Sequence, residues 1–196
     1  MALRNPSTIT VEEYFALEEN EPEARYEYVD GYIYAMSGGS INHGTIGFNI
    51  QRVLWNLLRG TPCRVFNSDL KVRISEMRYF HPDVTVSCDP RNQGKNLIVE
   101  SPRVIFEVLS PSTEVKDRGQ KLRDYLACPT VEAYLLVNQN VPRIEIYGKE
   151  NATWYYDVFN AGDEVELPNL GIHFPIEEVY ADVDFPEISE EDEDES

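Results

Sequence analysis

Between Val104 and Leu109 the chain reads Val-Ile-Phe-Glu-Val-Leu, an apolar run with one acid inside it. Apolar residues on both faces mark a central strand covered on both sides. A carboxylate inside such a strand is costly unless it is paired or bound to a metal. Glu107 therefore requires a positive partner. Upstream, Pro82-Asp83-Val84-Thr85-Val86 reads as a second apolar strand, opened by an acid. Downstream, Ser110-Pro111-Ser112-Thr113 leads into a helix with an apolar stripe of Leu122, Tyr125 and Leu126. Ser112 or Thr113 caps that helix, and Asp117 and Lys121, four apart, share one side of it.

If the two strands are neighbours, Asp83 and Glu107 approach closely, and both ionise only with a cation between them. Oxygen ligands of this kind suit Mg²⁺, or Mn²⁺ in its place, rather than zinc. Lys121 would orient or deprotonate a water held there, or stabilise a developing negative charge. Blander readings stand beside these. An Asp opening a strand often serves a turn, Glu107 has Arg103 or Arg123 as structural partners, and helical lysines are commonly solvated.

At 196 residues, 42% hydrophobic and 11% aromatic, the chain suits a single domain over residues 1–186. Residues 187–196 hold seven acids and no base, and read as an acidic disordered tail. Of the net charge of −18, about −11 remains when those seven are set aside. Phosphate binding usually needs a basic surface, so tight metal-free DNA binding is disfavoured, while a metal-assisted nuclease stays open. No apolar run approaches the ~20 residues of a membrane span, and the first 19 residues lack a signal-peptide layout. A cytoplasmic protein with no membrane partner is expected. Cys63, Cys88 and Cys128 are odd in number and scattered. They read as reduced, mostly buried thiols rather than as a disulfide or a zinc site.

The remaining elements follow from pattern. Thr10 with Glu13 forms a capping box for a short helix. Asp30-Gly31 turns a hairpin between Arg25 and Met36, with Glu27 on the face opposite Tyr26 and Tyr28. Ile41 to Arg59 is an amphipathic helix whose buried row is Ile46, Ile50, Val53, Leu54, Leu57 and Leu58, with His43 in its first turn. Alternation over Asp69 to Ile74 sets Leu70, Val72 and Ile74 on one face, and Asp69, Lys71 and Arg73 on the other. Strands follow over Val131 to Val137, Arg143 to Tyr147, Trp154 to Val158 and Glu164 to Leu167. Pro175 to Tyr180 reads as a short closing helix.

Taken together these residues resemble the PD-(D/E)XK nuclease superfamily, the restriction-endonuclease-like fold. Pro82-Asp83 matches the first half of its signature and Glu107 the acid of the second half. The lysine expected two residues after that acid is replaced by Leu109. In one large bacterial branch of restriction-endonuclease-like proteins the lysine has moved to the next helix. The chain is similar to that branch over nearly its whole length: Val11-Glu12-Glu13-Tyr14, Tyr26 to Gly31, His43, Ser68 to Val72, Pro82-Asp83-Val84, Glu107 to Thr113, Asp117, Lys121 to Tyr125 and Glu132 to Val137. The resemblance implies an α/β fold with an αβββαβ core, a mixed central sheet flanked by helices, and additional antiparallel strands at both ends. It also implies a divalent metal and hydrolysis of DNA phosphodiesters.

Asp83, Glu107 and the Val108 backbone carbonyl would hold the metal, with Lys121 and Glu27 catalytic beside it. Asp69 and His43 are auxiliary candidates, and Lys71 and Arg73 candidates for holding backbone phosphate. Each has a plainer alternative: an exposed strand carboxylate for Glu27, a turn residue for Asp69, a capping or solvated histidine for His43, solvated strand cations for Lys71 and Arg73. His81 and His173 read as structural. A homodimer is expected, because cutting both strands of a duplex takes two sites. The competing function is a catalytically silent binding or adaptor protein on the same fold, motivated by the acidity and by Leu109.

Overall fold

The computed structural model describes residues 8–36 and 38–185. The expected acidic tail lies outside them. In chain order the elements are helix α1 (Val11–Asn20), strands β1 (Tyr26–Val29) and β2 (Tyr32–Ala35), helix α2 (Ile41–Leu57), and strands β3 (Arg64–Asn67), β4 (Lys71–Ser75), β5 (Arg78–Phe80), β6 (Val84–Ser87), β7 (Ile98–Val99) and β8 (Val104–Val108). Then come α3 (Glu114–Lys116), a π-turn (Asp117–Lys121), α4 (Leu122–Ala127), and strands β9 (Ala133–Val137), β10 (Arg143–Glu150), β11 (Thr153–Asn160), β12 (Glu164–Leu167) and β13 (Ile172–Pro175).

The central sheet has the order β11-β10-β9-β8-β6-β3. Its β8–β9 pair is parallel and its other pairs antiparallel. The sequence α2, β3, β6, β8, the α3–α4 helix and β9 supplies the αβββαβ order. The N-terminal hairpin does not extend this sheet. It joins β5, β4 and β7 in a second sheet, ordered β2-β1-β5-β4-β7. The hairpin turn has φ of 49° at Asp30 and 94° at Gly31, the positive pair that a two-residue type I′ turn needs.

All five β8 residues are buried. Their period of two sorts them into two cores. Val104, Phe106 and Val108 pack against Ile46, Ile50, Val53 and Leu54 of α2. Ile105 and Leu109 face the other way, toward Tyr125 of α4 and toward Val29, Val72 and Phe80 of the second sheet. Glu107 shares the parity of this second set. A third cluster of Tyr14, Tyr28 and Tyr79 fixes α1 to the second sheet. The Thr10–Glu13 box caps that helix at both of its bonds, 2.8 and 3.2 Å.

Four sequence expectations need correction. Leu57 is 41% exposed, because α2 ends there and the buried row passes through Leu54 to Leu58. The closing helix is only a 3₁₀ turn over Ile176–Glu178, and Pro175 belongs to β13, which pairs with β12. The helix carrying Lys121 is not one regular α-helix but two short ones joined by the π-turn. Cys63 and Cys88 form a disulfide, and Cys128 alone is a free, buried thiol. The register explains the bond. Arg64 of β3 lies opposite Ser87 of β6, so the next residue outward on each strand meets its counterpart.

Candidate active site

Glu107 is 4% exposed, and its Oε1 accepts hydrogen bonds from Lys121 Nζ and the Tyr125 hydroxyl, both at 2.8 Å. The partner comes from the helix, as a buried strand acid requires. Lys121 is itself buried, and its Nζ also lies 2.9 Å from Glu27 Oε1 and 3.3 Å from Asp117 Oδ1. Glu27, 5% exposed, is no surface carboxylate. Its Oε2 accepts a hydrogen bond from Lys116 Nζ, and that ammonium stands 4.1 Å from the centre of the Tyr34 ring.

The π-turn explains why both lysines reach one acid. Residues five apart on an α-helix sit about 140° apart around the axis. The i to i+5 bonding of a π-turn brings such residues toward one side. Lys116 stands just before this turn and Lys121 ends it, at that spacing.

Val84 lies opposite Phe106 in the β6–β8 pair. The register therefore leads outward to Asp83 and Glu107. Asp83 Oδ2 accepts a hydrogen bond from the Val108 backbone N–H at 2.7 Å, and Oδ1 lies 2.9 Å from His43 Nε2. His43 reaches it from the first turn of α2, where Ser40 caps its N–H at 3.1 Å. The other ring nitrogen, Nδ1, is buried and has no hydrogen-bond partner among the described residues.

The charges do not balance. Burial pushes the Glu107 carboxyl well above the usual carboxylate range. Lys121 opposes this, while Asp117, Asp83 and Glu27 add to it. Burial likewise raises Asp117, against Lys121. Burial would raise Glu27 too, but Lys121 and Lys116 outweigh it and hold the group at about 2. For Lys121, burial works against the ammonium, yet Glu107, Glu27 and Asp117 overcome it and set the pKa well above that of an ordinary lysine. A hydrogen bond to Asp83 raises His43 in spite of its burial.

Glu27, His43, Asp83, Glu107, Lys116 and Lys121 line one cavity of about 240 Å³. His81, read as structural from sequence, also lines it. His81 is 3% exposed, with Nδ1 3.0 Å from the Ser68 carbonyl. Lys116 and Asp117 are the cluster members that sequence reasoning left without a role in the site. The four-residue spacing of Asp117 and Lys121 was the signal available for Asp117. Lys116 had none, because the acid and the ring that hold it come from the hairpin.

Three candidates are not brought to the cavity. Asp69 is 70% exposed and paired with Arg25 at 3.1 Å. Lys71 is held by Glu18, and Arg73 by Glu100 at 2.9 Å. His173 is exposed and 3.6 Å from Glu164.

Among the described residues no group of three or more His, Cys, Asp or Glu side chains is arranged to hold a metal ion. The donor set nevertheless fits a hard cation that keeps most of its waters and takes one or two carboxylates. Asp83 and Glu107 offer oxygens, each with lone pairs to spare. Burial first, and then Asp117, Asp83 and Glu27, favour the neutral Glu107 carboxyl, and a cation between the acids would favour its ionised form.

The chain matches the family model Uma2, described as "Putative restriction endonuclease", over residues 11–177. It is 40% identical over 179 residues to an uncharacterised protein of Synechocystis sp., covering 90% of this chain and 94% of that one. A second uncharacterised protein of that organism is 34% identical over 152 residues, covering 76% and 85%. A crystal structure from Anabaena variabilis, described as "a putative nuclease belonging to DUF820", is similar in fold. Its TM-score is 0.70 at 20% identity, over 88% of this chain and 97% of that one. No helix among the described residues is long and apolar enough to cross a membrane. By its match over residues 11–177 and by its fold, the chain belongs to the Uma2 family of restriction-endonuclease-like proteins.

Proposed function

We propose that the chain is a divalent-metal-dependent endonuclease that hydrolyses DNA phosphodiester bonds, working as a homodimer. One observation carries this reading: a buried lysine bridges Glu107 and Glu27, at 2.8 and 2.9 Å, in the cavity that Asp83 also lines. Asp83, Glu107 and the Val108 carbonyl would hold Mg²⁺, or Mn²⁺ in its place. When bound, the ion supplies an activated water and offsets charge at the scissile phosphate.

The protein groups divide the remaining work. Lys121, with its pKa held well up by three acids, keeps its proton. It therefore donates: it fixes the attacking water by an N–H, or neutralises charge growing on the phosphate. Glu27 aims Lys121. Lys116, a quarter exposed at the side chain, exchanges Glu27 for a phosphate oxygen when substrate enters. Asp83, which lines the cavity, is oriented by His43 and by the Val108 N–H.

The test is incubation with varied DNA in Mg²⁺ and in Mn²⁺. Cleavage is expected, with a loss of at least about a hundredfold in Lys121→Ala. Cleavage unaffected by that substitution overturns the assignment. An intact wild-type chain that takes up no Mn²⁺ by calorimetry indicates instead a silent binding protein on the nuclease fold.

A further inference from the structure

A second recess, of about 410 Å³, opens beside the first and shares His43, Asp83, Ala35, Met36, Gly38 and Gly39 with it. The groups that close it off differ in chemistry from those of the acid–lysine cavity. Gly44 and Gly47 of α2 form its floor, and a Cβ added at either would meet nothing within 4 Å. Phe48, next along the helix and 64% exposed, stands at its side. The Arg25 guanidinium in its wall is committed to Asp69 and Ser68. Among the described residues the recess thus offers an aromatic face and open space, and no uncommitted cation.

Resting on the nuclease reading, we propose that this recess receives the base and sugar of an unpaired nucleotide adjoining the scissile phosphate, stacked on Phe48. Phosphate backbones are held by basic surfaces, and a chain of net charge −18 presents little of that kind. Bases of any sequence stack on aromatic rings, which binds single strands without strong readout. A base turned out of a duplex offers the same chemistry. The position also suits the reaction. The two recesses meet at Asp83 and His43, so a phosphate held there has Lys116 and Lys121 on one side and a place for its nucleoside on the other. The bare glycine floor lets a sugar approach the helix backbone.

The experiment uses the whole chain with Ca²⁺ in place of the catalytic ion, and fluorescence anisotropy of labelled oligonucleotides. Three probes share one sequence: a single strand, a matched duplex, and a duplex with one central mismatch. The single strand or the mismatched duplex should bind at least about tenfold more tightly than the matched duplex. The tighter of the two shows whether the nucleotide arrives unpaired or is turned out. Phe48→Ala should lose about tenfold in that affinity and Phe48→Trp should retain it. Equal binding of all three probes with no change in Phe48→Ala overturns the proposal. So does a halving of the mass in solution on Phe48→Ala, which would make the Ile41–Phe48–Trp55 face an interface between copies. Hydrolysis of bis(p-nitrophenyl) phosphate by the wild type in Mn²⁺ needs no base recess. Its absence removes the nuclease reading, and the anisotropy still decides the recess.

Discussion

Two charge networks share the short segment from Glu114 to Lys121, one on its outer side and one on its inner side. Outside, Arg118 donates to both oxygens of Glu145 at 2.8 Å and to Glu114 at 2.7 Å, while the Tyr156 hydroxyl adds a bond to Glu145 at 3.2 Å. Hydrogen bonding to Glu145 raises Arg118, and hydrogen bonding to Arg118 lowers Glu145, so each group is held in its charged form. Inside, Glu27, Asp83, Glu107 and Asp117 share Lys116, Lys121 and His43. Glu107 and Asp117 are pushed toward their neutral forms, and among the described residues the contact of Asp117 Oδ1 with a cation is the 3.3 Å ion pair to Lys121. Both sides set acids against bases, but the outer one does so with a single guanidinium and the inner one with two ammonium groups and an imidazole. The outer network is saturated and can only stabilise. The inner one holds two carboxyls that burial favours in their neutral forms, and the cation proposed for this cavity would favour their ionised forms.

The contrast breaks most sharply at Lys121. Lys121→Met leaves Glu107 with the Tyr125 hydroxyl but no cation, takes one ammonium from Glu27, and should cost about 3–5 kcal/mol in denaturant unfolding. The double variant Lys121→Met, Glu107→Gln should recover part of this, since the orphaned charge is gone. A Lys121→Met chain as stable as the wild type would mean that the inner ions do not hold one another.

The next effect is on pH. A cation binds only the ionised Glu107 carboxylate, and that group is held well above the usual carboxylate range by burial and by its acidic neighbours. Below that raised pKa the ion must displace a proton. Apparent Mn²⁺ affinity should therefore rise with pH, with proton release seen by calorimetry in buffers of differing ionisation enthalpy. A flat profile between acid and neutral pH would place the cation away from Glu107.

The smallest effects belong outside. Arg118→Met should cost about 1 kcal/mol, since a third of that side chain is solvent-screened, and leave Mn²⁺ uptake unchanged. Asp69→Asn, on a pair that is mostly exposed, should move neither melting nor uptake beyond error. Loss of uptake in Arg118→Met would join the two networks into one.

Glu107 was legible because a lone acid in an apolar strand is a local anomaly, visible without coordinates. The Asp117–Lys121 pair was legible for the same reason, being a spacing within one helix. The α2 core row and the Asp30-Gly31 hairpin follow from periodicity and from turn chemistry. What escaped depends on partners distant in sequence. Lys116 gains a place in the site only because β1 and β2 bring Glu27 and Tyr34 over it. The same alternation that put Lys71 and Arg73 on one face gave no hint that Glu18 and Glu100 would engage them. The Cys63–Cys88 bond hangs on the β3–β6 register, which three scattered cysteines do not reveal. The π-turn adds a hydrogen-bonding pattern for which Gly119, a weak helix former, was the sole local hint.

That bond between Cys63 and Cys88 fastens the rim of the central sheet, since β3 is its outermost strand on that side. A rim strand carries spare backbone donors and acceptors and is where foreign chains add on. In reducing surroundings the clasp opens at the far end of β6 from Asp83. Thiol poise would then govern how readily the protein clumps rather than how well its acids are arranged.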